Sequence, residues 1–396
     1  MSLLLLYSLF LYVATLLSAR IQKSVLSTSV IFLVAGYIAG PGLLGIAPHE
    51  TEWLERFVEA AMFAVLYTDG MRVDLQRLRE NWRLPALALG LGMPLTIVLV
   101  ALAAKFIVGF DWPTSFLLGA ILSPTDPVFA SALVGRREVP RALRDLLNVE
   151  SGLNDGLALP AVWVTLSLVS GENSHWAQAL MELAAGAAIG VMIPLLAIWL
   201  ESLDRFRAVG LYQTMRGLAI GLVIFGLCGI TGANAFIAAF VAGVTVAAVS
   251  LEVKADYCKF GETSSELLKL AGVMGFATLL SPQFLVNMSV AGYLFALVVL
   301  IVVRPLATGP ALLGSGLSWP AAGAAVWFGP KGFASLFYAL FALQSKAPGM
   351  EQVFHLVAIV VAISMIAHSS SDVPIVGWLS PSQPKPVDPA LQQSRA

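Results

Sequence analysis

The chain is patterned as a series of apolar runs, each about 20 residues long and so able to cross roughly 30 Å of bilayer hydrocarbon as a helix. Short clusters of Gly, Pro and charge separate them. Thirteen spans are predicted, at about 2–19, 25–46, 54–71, 84–108, 113–134, 143–170, 176–200, 213–230, 233–251, 264–281, 287–312, 319–344 and 351–371. The fold class expected is an all-α integral membrane protein. The Leu-rich run from Ser2 to Ser18 reads as the first span and not as a signal peptide, because Arg20 and Lys23 follow it and no basic residue precedes it. Two spans depart from the pattern. The fifth opens Trp112-Pro113 and breaks at Pro124-Thr125-Asp126-Pro127; the twelfth opens Trp319-Pro320 and breaks at Gly329-Pro330-Lys331-Gly332. Seven spans apart, they run in opposite directions. Interrupted segments at matching places in two halves point to an inverted repeat with a binding site at the crossing of two broken helices.

Composition agrees with this picture: 58% of residues are hydrophobic and only 12% charged, against about 25% charged in soluble domains. Mean hydropathy is +0.84. The net charge of -1 implies no particular partner, and no basic stripe points to nucleic acid. The Lys and Arg residues are sorted by side, with 18 assigned to one side of the membrane and Arg56, Lys105 and Lys346 to the other. Cytoplasmic loops collect such residues, so the N-terminus is expected outside and the C-terminus in the cytoplasm of a cell (inner) membrane. Lys269 is counted with the cytoplasmic group. Cys228 and Cys258, the latter placed in a Lys-containing loop, show no CxxC or Cys/His spacing, so neither a disulfide nor a metal centre is expected. Residues 1–380 read as a single membrane domain, and the polar, Pro-rich 380–396 as a short tail.

The chemistry lies in the charges inside spans: Asp126, Glu150, Asp155, Arg304 and Lys331. Each costs about 2.5–3.5 kcal/mol on insertion scales, so each is expected to have a partner or a task. Asp126 suits the N-cap of a half-helix with Pro127 at its first position. Lys331 can balance the carbonyl ends of the opposing half-helices, and the carbonyls near Thr125 remain as cation ligands. On the sixth span Ser151 and Asp155 share one face, with Glu150 and Asn154 on the adjacent stripe. Their hydroxyl and carboxylate oxygens suit hard cations, while the lack of His and Cys argues against zinc or copper. Gly152 and Gly156 are expected to admit a neighbouring backbone. Pairing Glu150 with Arg304 leaves Asp155 as the free carboxylate. A buried carboxylate holds either a proton or a cation, and a carrier that crosses only when one of them is bound is an antiporter.

At these residues the chain resembles the NhaP/NHE-type cation/proton antiporters, the monovalent cation:proton antiporter-1 group. The resemblance rests on Thr125-Asp126-Pro127, Glu150-Ser151 with Asn154-Asp155, Arg304-Pro305, and Gly329-Pro330-Lys331-Gly332 leading into Ser335. It implies 13 helices, a homodimer, a dimer domain of 1–80 and 175–285, and a mobile core of 81–174 and 286–372. By the same resemblance Asp155 is the exchanging carboxylate, with Thr125, Asp126, Ser151 and Glu150 around an alkali cation (Na+, Li+ or K+). Asn154, Arg304 and Lys331 support them. Asn154 stands where the electrogenic branch has Asp, which implies electroneutral one-for-one exchange with H+. No cofactor is implied.

Several other residues read as structural. His355 and His368 are placed in packing or local hydrogen bonds, Asp69 and Asp74 as interfacial partners of the arginines near Arg72, and Glu182 as an interfacial group or a cation funnel. Two other function classes fit parts of the pattern. A Na+-coupled solute symporter could use a similar scaffold, and Asp126 with Asp155 could form the dyad of an intramembrane aspartyl protease. The second leaves Lys331 and the repeat unused, and no Gly-x-Gly-Asp precedes Asp155.

Overall fold

The computed structural model describes residues 2–21, 28–40, 44–45, 52–73, 82–126, 139–170, 175–203, 206, 208–280, 282–313 and 315–379. Pro127 with the second half of the fifth span, Asp74, the Arg77/Arg79 and Arg136/Arg137 clusters and the tail 380–396 lie outside the described residues. Among those described, all regular structure is helical. In chain order the helices are α1 Ser2–Ile21, α2 Thr28–Ala39, α3 Glu52–Arg72, α4 Arg83–Val108, α5 Trp112–Ile121, α6 Arg141–Val169, α7 His175–Glu201, α8 Leu211–Thr231, α9 Ala235–Val249, α10 Leu251–Ala277, α11 Val290–Leu312, α12 Trp319–Trp327, α13 Phe333–Gln344 and α14 Met350–Leu379. A short turn of helix at Pro282–Asn287 leads into α11.

Six of these, α4, α6, α7, α8, α11 and α14, carry stretches long and apolar enough to cross a membrane, and α2, α5, α9 and α13 are apolar but shorter. The chain is a multi-pass membrane protein. Outward faces such as Met181, Met192 and Trp199 on α7 and Leu222, Val223 and Ile230 on α8 are apolar and exposed, as lipid contact requires.

The helices pack as two groups. In one, α3 lies against α9 and α10, with α2, α7 and α8 around them; in the other, α5 lies against α4 and α6, and α11 to α14 complete the layer. The groups meet where α6 touches α3, α7 and α9, and where α13 touches α3 and α10. The α3–α9 crossing is close because glycines face each other's backbone. A Cβ on Gly243 would lie 2.3 Å from the Tyr67 carbonyl oxygen, and one on Gly70 would lie 2.4 Å from that of Phe240. Gly243→Ala is therefore expected to lower the melting temperature of the purified protein, since two helix backbones would have to separate. Gly226→Ala, with open space around it, should leave that temperature within error.

Two of the long helices are widened just before a proline. In α4 a π turn at Ala88–Gly92 precedes Pro94, and in α11 one at Val299–Val303 precedes Pro305. Proline removes an N–H and crowds the preceding turn, and a wider turn accommodates this where no water can. In α11 the consequence is positional: Arg304 follows the widened turn directly.

One boundary differs from the sequence expectation. α10 begins at Leu251, so Lys254, Cys258 and Lys259 are helical and not in a loop. Ser250 caps it, its side chain accepting from Val253 N at 3.3 Å, and Glu252 sits in the first turn. The amphipathic first half of this helix has too many charges to register as an apolar span.

Candidate functional site

The two interrupted segments meet. α5 ends at Ile121 and the chain runs on without helix to Asp126; α12 ends at Trp327, and residues 328–332 have no regular structure before α13 begins at Phe333. Each break satisfies the polar groups the other leaves open. The backbone N–H of Asp126 donates to the Pro330 carbonyl at 2.8 Å, and Phe333 N–H donates to Asp126 Oδ2 at 3.1 Å. The Asp126 carboxylate thus stands at the N-terminus of α13, where the helix dipole favours negative charge. Lys331 Nζ donates to the carbonyls of Ser123 (3.3 Å) and Pro124 (3.1 Å) beyond the C-terminal end of α5. Ser335 Oγ donates to the Ile121 carbonyl at 2.8 Å. This close approach explains two glycines: a Cβ on Gly332 would lie 2.1 Å from Asp126 Oδ2, and one on Gly329 would lie 2.1 Å from the Arg304 guanidinium.

α6 passes beside the crossing and brings Glu150, Ser151, Asn154 and Asp155, all buried, to it. Arg304 of α11 forks onto Glu150, with Nη1 to Oε1 at 2.9 Å and Nη2 to Oε2 at 3.2 Å. Its Nη2 also reaches the carbonyls of Ala325 (3.2 Å) and Phe328 (2.7 Å) at the C-terminal end of α12. A bidentate pair that also satisfies open carbonyls is the arrangement in which a buried ion pair is best tolerated. Asn154 Nδ2 donates to Thr125 Oγ1, which lies 3.5 Å from Ser151 Oγ. Asn154 therefore ties α6 to the first break.

Asp155 differs from its neighbours. It is buried, and its Oδ1 has no hydrogen-bond partner among the described residues. Its backbone carbonyl accepts from Tyr338 Oη at 2.7 Å, which fixes α6 against α13. Asp126, Lys331, Asp69 and Lys269 all lie within electrostatic range. The result is a carboxylate oxygen with no hydrogen-bond partner among the described residues, on the helix that carries Ser151 and within electrostatic range of Asp126. Chemically, the oxygens of Asp155, Ser151, Thr125 and Asp126 are hard donors of the kind that suit an alkali cation.

Three sequence expectations need correction. Asp69 pairs with Arg72 as expected, Oδ1 lying 3.2 Å from Nη1, but it is buried in the protein at 1% exposure, and its Oδ2 also lies 3.8 Å from Lys269 Nζ. Lys269 is likewise buried inside α10 and does not belong to the cytoplasmic loop charges. Gly156 admits a ring and not a backbone, since its Cβ position would lie 2.4 Å from Phe240 Cγ, while Gly152 faces open space. A signal for Lys269 was present, because Ser265, Lys269, Gly272, Val273 and Phe276 recur at helical spacing and all are buried.

The residues read as structural have local roles. His368 is buried and its ring nitrogens lie 2.8 Å from the Ser364 carbonyl and 3.1 Å from that of Trp327; Ser364 Oγ accepts from Lys331 N–H at 2.8 Å. His355 packs on Phe284 with ring centroids 4.7 Å apart. Glu182 accepts from Trp163 Nε1 (3.1 Å) and Gln178 Nε2 (3.0 Å) at a pocket of about 220 Å³ that Phe341 and Ser345 also line.

The family described as sodium/hydrogen exchanger, transmembrane, matches residues 6–378. Among curated relatives, the K(+)/H(+) antiporter NhaP of Alkalimonas amylolytica is 25% identical over 389 residues, covering 95% of this chain and 66% of that protein. The K(+)/H(+) antiporter NhaP2 of Shewanella baltica is 23% identical over 91% of this chain and 63% of its own length. The chain thus spans just under two thirds of both. The Na(+)/H(+) antiporter NhaP of Pseudomonas aeruginosa is 28% identical over 81% of this chain and 80% of that one. In fold, the chain is similar to the sodium proton antiporter MjNhaP1 from Methanocaldococcus jannaschii, with a TM-score of 0.78, 20% identity, and coverage of 96% and 97%. Matched over nearly its whole described length, the chain belongs to the transmembrane sodium/hydrogen exchanger family.

Proposed function

We propose that the protein is a secondary antiporter that exchanges a monovalent cation for a proton by competition at Asp155. The observation that carries this reading is the Asp155 carboxylate oxygen, buried beside the two crossing breaks with no hydrogen-bond partner among the described residues. Cation ligands come from the same neighbourhood: the Asp155 and Asp126 carboxylates, the Ser151 hydroxyl and the backbone of Thr125, with Glu150 near by. Glu150 is held by Arg304 and acts as a structural partner. Asn154 adds no charge, so one proton returns for each cation and the cycle is electroneutral. Relatives are named for K+ and for Na+, and cavity geometry decides between them.

Alternating access is assigned to the two packed groups. Residues 81–174 and 286–372 carry the site and move, while 1–80 and 175–285 form the static face through which two copies pair. The termini are oriented by the sorting of Lys and Arg, outside for the first residue and cytoplasmic for the last.

Competition for one group has a measurable signature. In proteoliposomes with an internal pH dye, additions of Na+, Li+ or K+ should release protons. The half-saturating concentration of the transported cation should rise roughly tenfold per pH unit on the acidic side, with the maximal rate little changed. A half-saturation independent of pH, with only the maximal rate responding, would mean that cation and proton use different groups. Uptake of a solute that requires Na+ would favour the symporter instead.

A further inference from the structure

Lys269 is a buried cation that this exchange scheme does not use. It lies on α10 in the group facing α6 and α13, 5% exposed, with its ammonium 3.8 Å from Asp69 Oδ2. That oxygen has no hydrogen-bond partner among the described residues. Asp69 also meets Arg72, but Arg72 is 37% exposed and shared with Glu262 at 3.2 Å, so its charge is screened by solvent. Lys269 is the dry counter-charge. Asp126, Asp155 and Glu266, as well as Asp69, lie within its electrostatic range, and without it these carboxylates would leave the region strongly negative.

Burying a lysine is costly unless it is paired, and a neutral side chain could fill the same space on α10. What the lysine adds is charge at a fixed place. Two of the charges within electrostatic range of Asp155, both on the opposing group, are therefore a carboxylate and a cation tethered to the chain. An ion linked to the site is present at an effective concentration that free ions do not match.

We propose that Lys269 is a specificity-determining residue of the exchange: by occupying Asp69 with a tethered cation, it holds the number of mobile charges per cycle at one. The proposal rests on the exchange reading above. With Lys269 in place, Asp69 needs neither cation nor proton, and Asp155 is the one carboxylate emptied and refilled. Without it, Asp69 keeps only the partly exposed Arg72, itself shared with Glu262, and becomes a second exchangeable carboxylate within electrostatic range of Asp155. One cation then crosses on one leg, two protons return on the other, and each cycle moves one net charge.

The test uses the full chain in proteoliposomes under a membrane potential set with valinomycin, for wild type, Lys269→Arg, Lys269→Gln and Asp69→Asn/Lys269→Gln. Wild-type and Lys269→Arg exchange of Na+ for H+ should not respond to the potential. Lys269→Gln should respond, by roughly fivefold or more, as a step carrying net charge does. The double variant, with both charges removed, should again be indifferent. Lys269→Gln leaves a buried carboxylate with one counter-charge fewer and can be lost to misfolding. The double variant then decides alone: indifferent exchange supports the proposal, and voltage-driven exchange overturns it. A folded Lys269→Gln that exchanges without regard to potential also overturns it. Exchange that already follows the potential in wild type would refute one-for-one stoichiometry, and no exchange in wild type would refute the antiport reading; the proposal falls with either.

Discussion

Asp155→Asn is expected to bring cation-coupled proton movement down to the level of empty liposomes while leaving the protein folded. The two side chains are nearly isosteric, so packing around Gly156 and Phe240 is kept. The bond that places residue 155 uses its backbone carbonyl, with Tyr338 as donor, and survives the change. What is lost is the group proposed to hold either a proton or a cation. Among the described residues the wild-type Oδ1 has no hydrogen bond to lose. Removing a buried acid with no such partner therefore costs little and can raise the melting temperature. Two readouts are needed: dye dequenching on addition of Na+, Li+ and K+, and thermal unfolding in detergent. Dequenching at the wild-type rate in a folded Asp155→Asn protein would remove Asp155 from the mechanism.

The second large effect is expected on stability, at Glu150 and Arg304. Glu150→Leu strands the Arg304 guanidinium 9% exposed in the protein, and Arg304→Met strands the carboxylate and leaves the carbonyls of Ala325 and Phe328 without that donor. Breaking a buried pair on one side costs about 3–5 kcal/mol, so both single variants should be recovered in low yield with much reduced melting temperatures. The double variant Glu150→Leu/Arg304→Met removes both charges and should regain a large part of the loss, because an apolar pair carries no desolvation cost. Strict additivity of the two single effects would show that they do not act as a pair. Residual exchange by the double variant would place the pair in the scaffold and not in the ion path.

Much of this was legible in the sequence, because the bilayer constrains it severely. A charge inside an apolar run stands out, and the in-span acids and bases led directly to Glu150 beside Arg304 and to Lys331 at the open carbonyls. The paired Trp-Pro openings and Gly/Pro breaks located the segments that meet at Asp126 and Pro330. Other features were not legible, for definite physical reasons. The first half of α10 is amphipathic and charged, so an apolar window starts it too late. That late start leaves Lys254, Cys258 and Lys259 in a loop; Lys269 falls inside the expected span 264–281 and is still counted with the cytoplasmic charges, because spacing along one helix does not show its partner Asp69 on α3. Gly156 was read correctly as a place of close approach, but the sequence does not say that the neighbour is the Phe240 ring. Such pairings depend on how separate helices pack, which spacing along one helix does not contain.

The crossing of the two breaks also bears on how the molecule is made. The Lys331–Ser123, Lys331–Pro124, Phe333–Asp126 and Ser335–Ile121 bonds join positions 207 to 214 residues apart. During synthesis, α5 leaves the ribosome long before the segment that satisfies its open carbonyls exists. Backbone polar groups in hydrocarbon need partners, so until α12 and α13 arrive the first break must be held by temporary ones, such as water, lipid headgroups or the insertion machinery. The crossing of the two breaks is thus a late product of assembly, and a chain ending before Phe333 would lack the Phe333–Asp126 and Ser335–Ile121 bonds even with α1 to α12 in place.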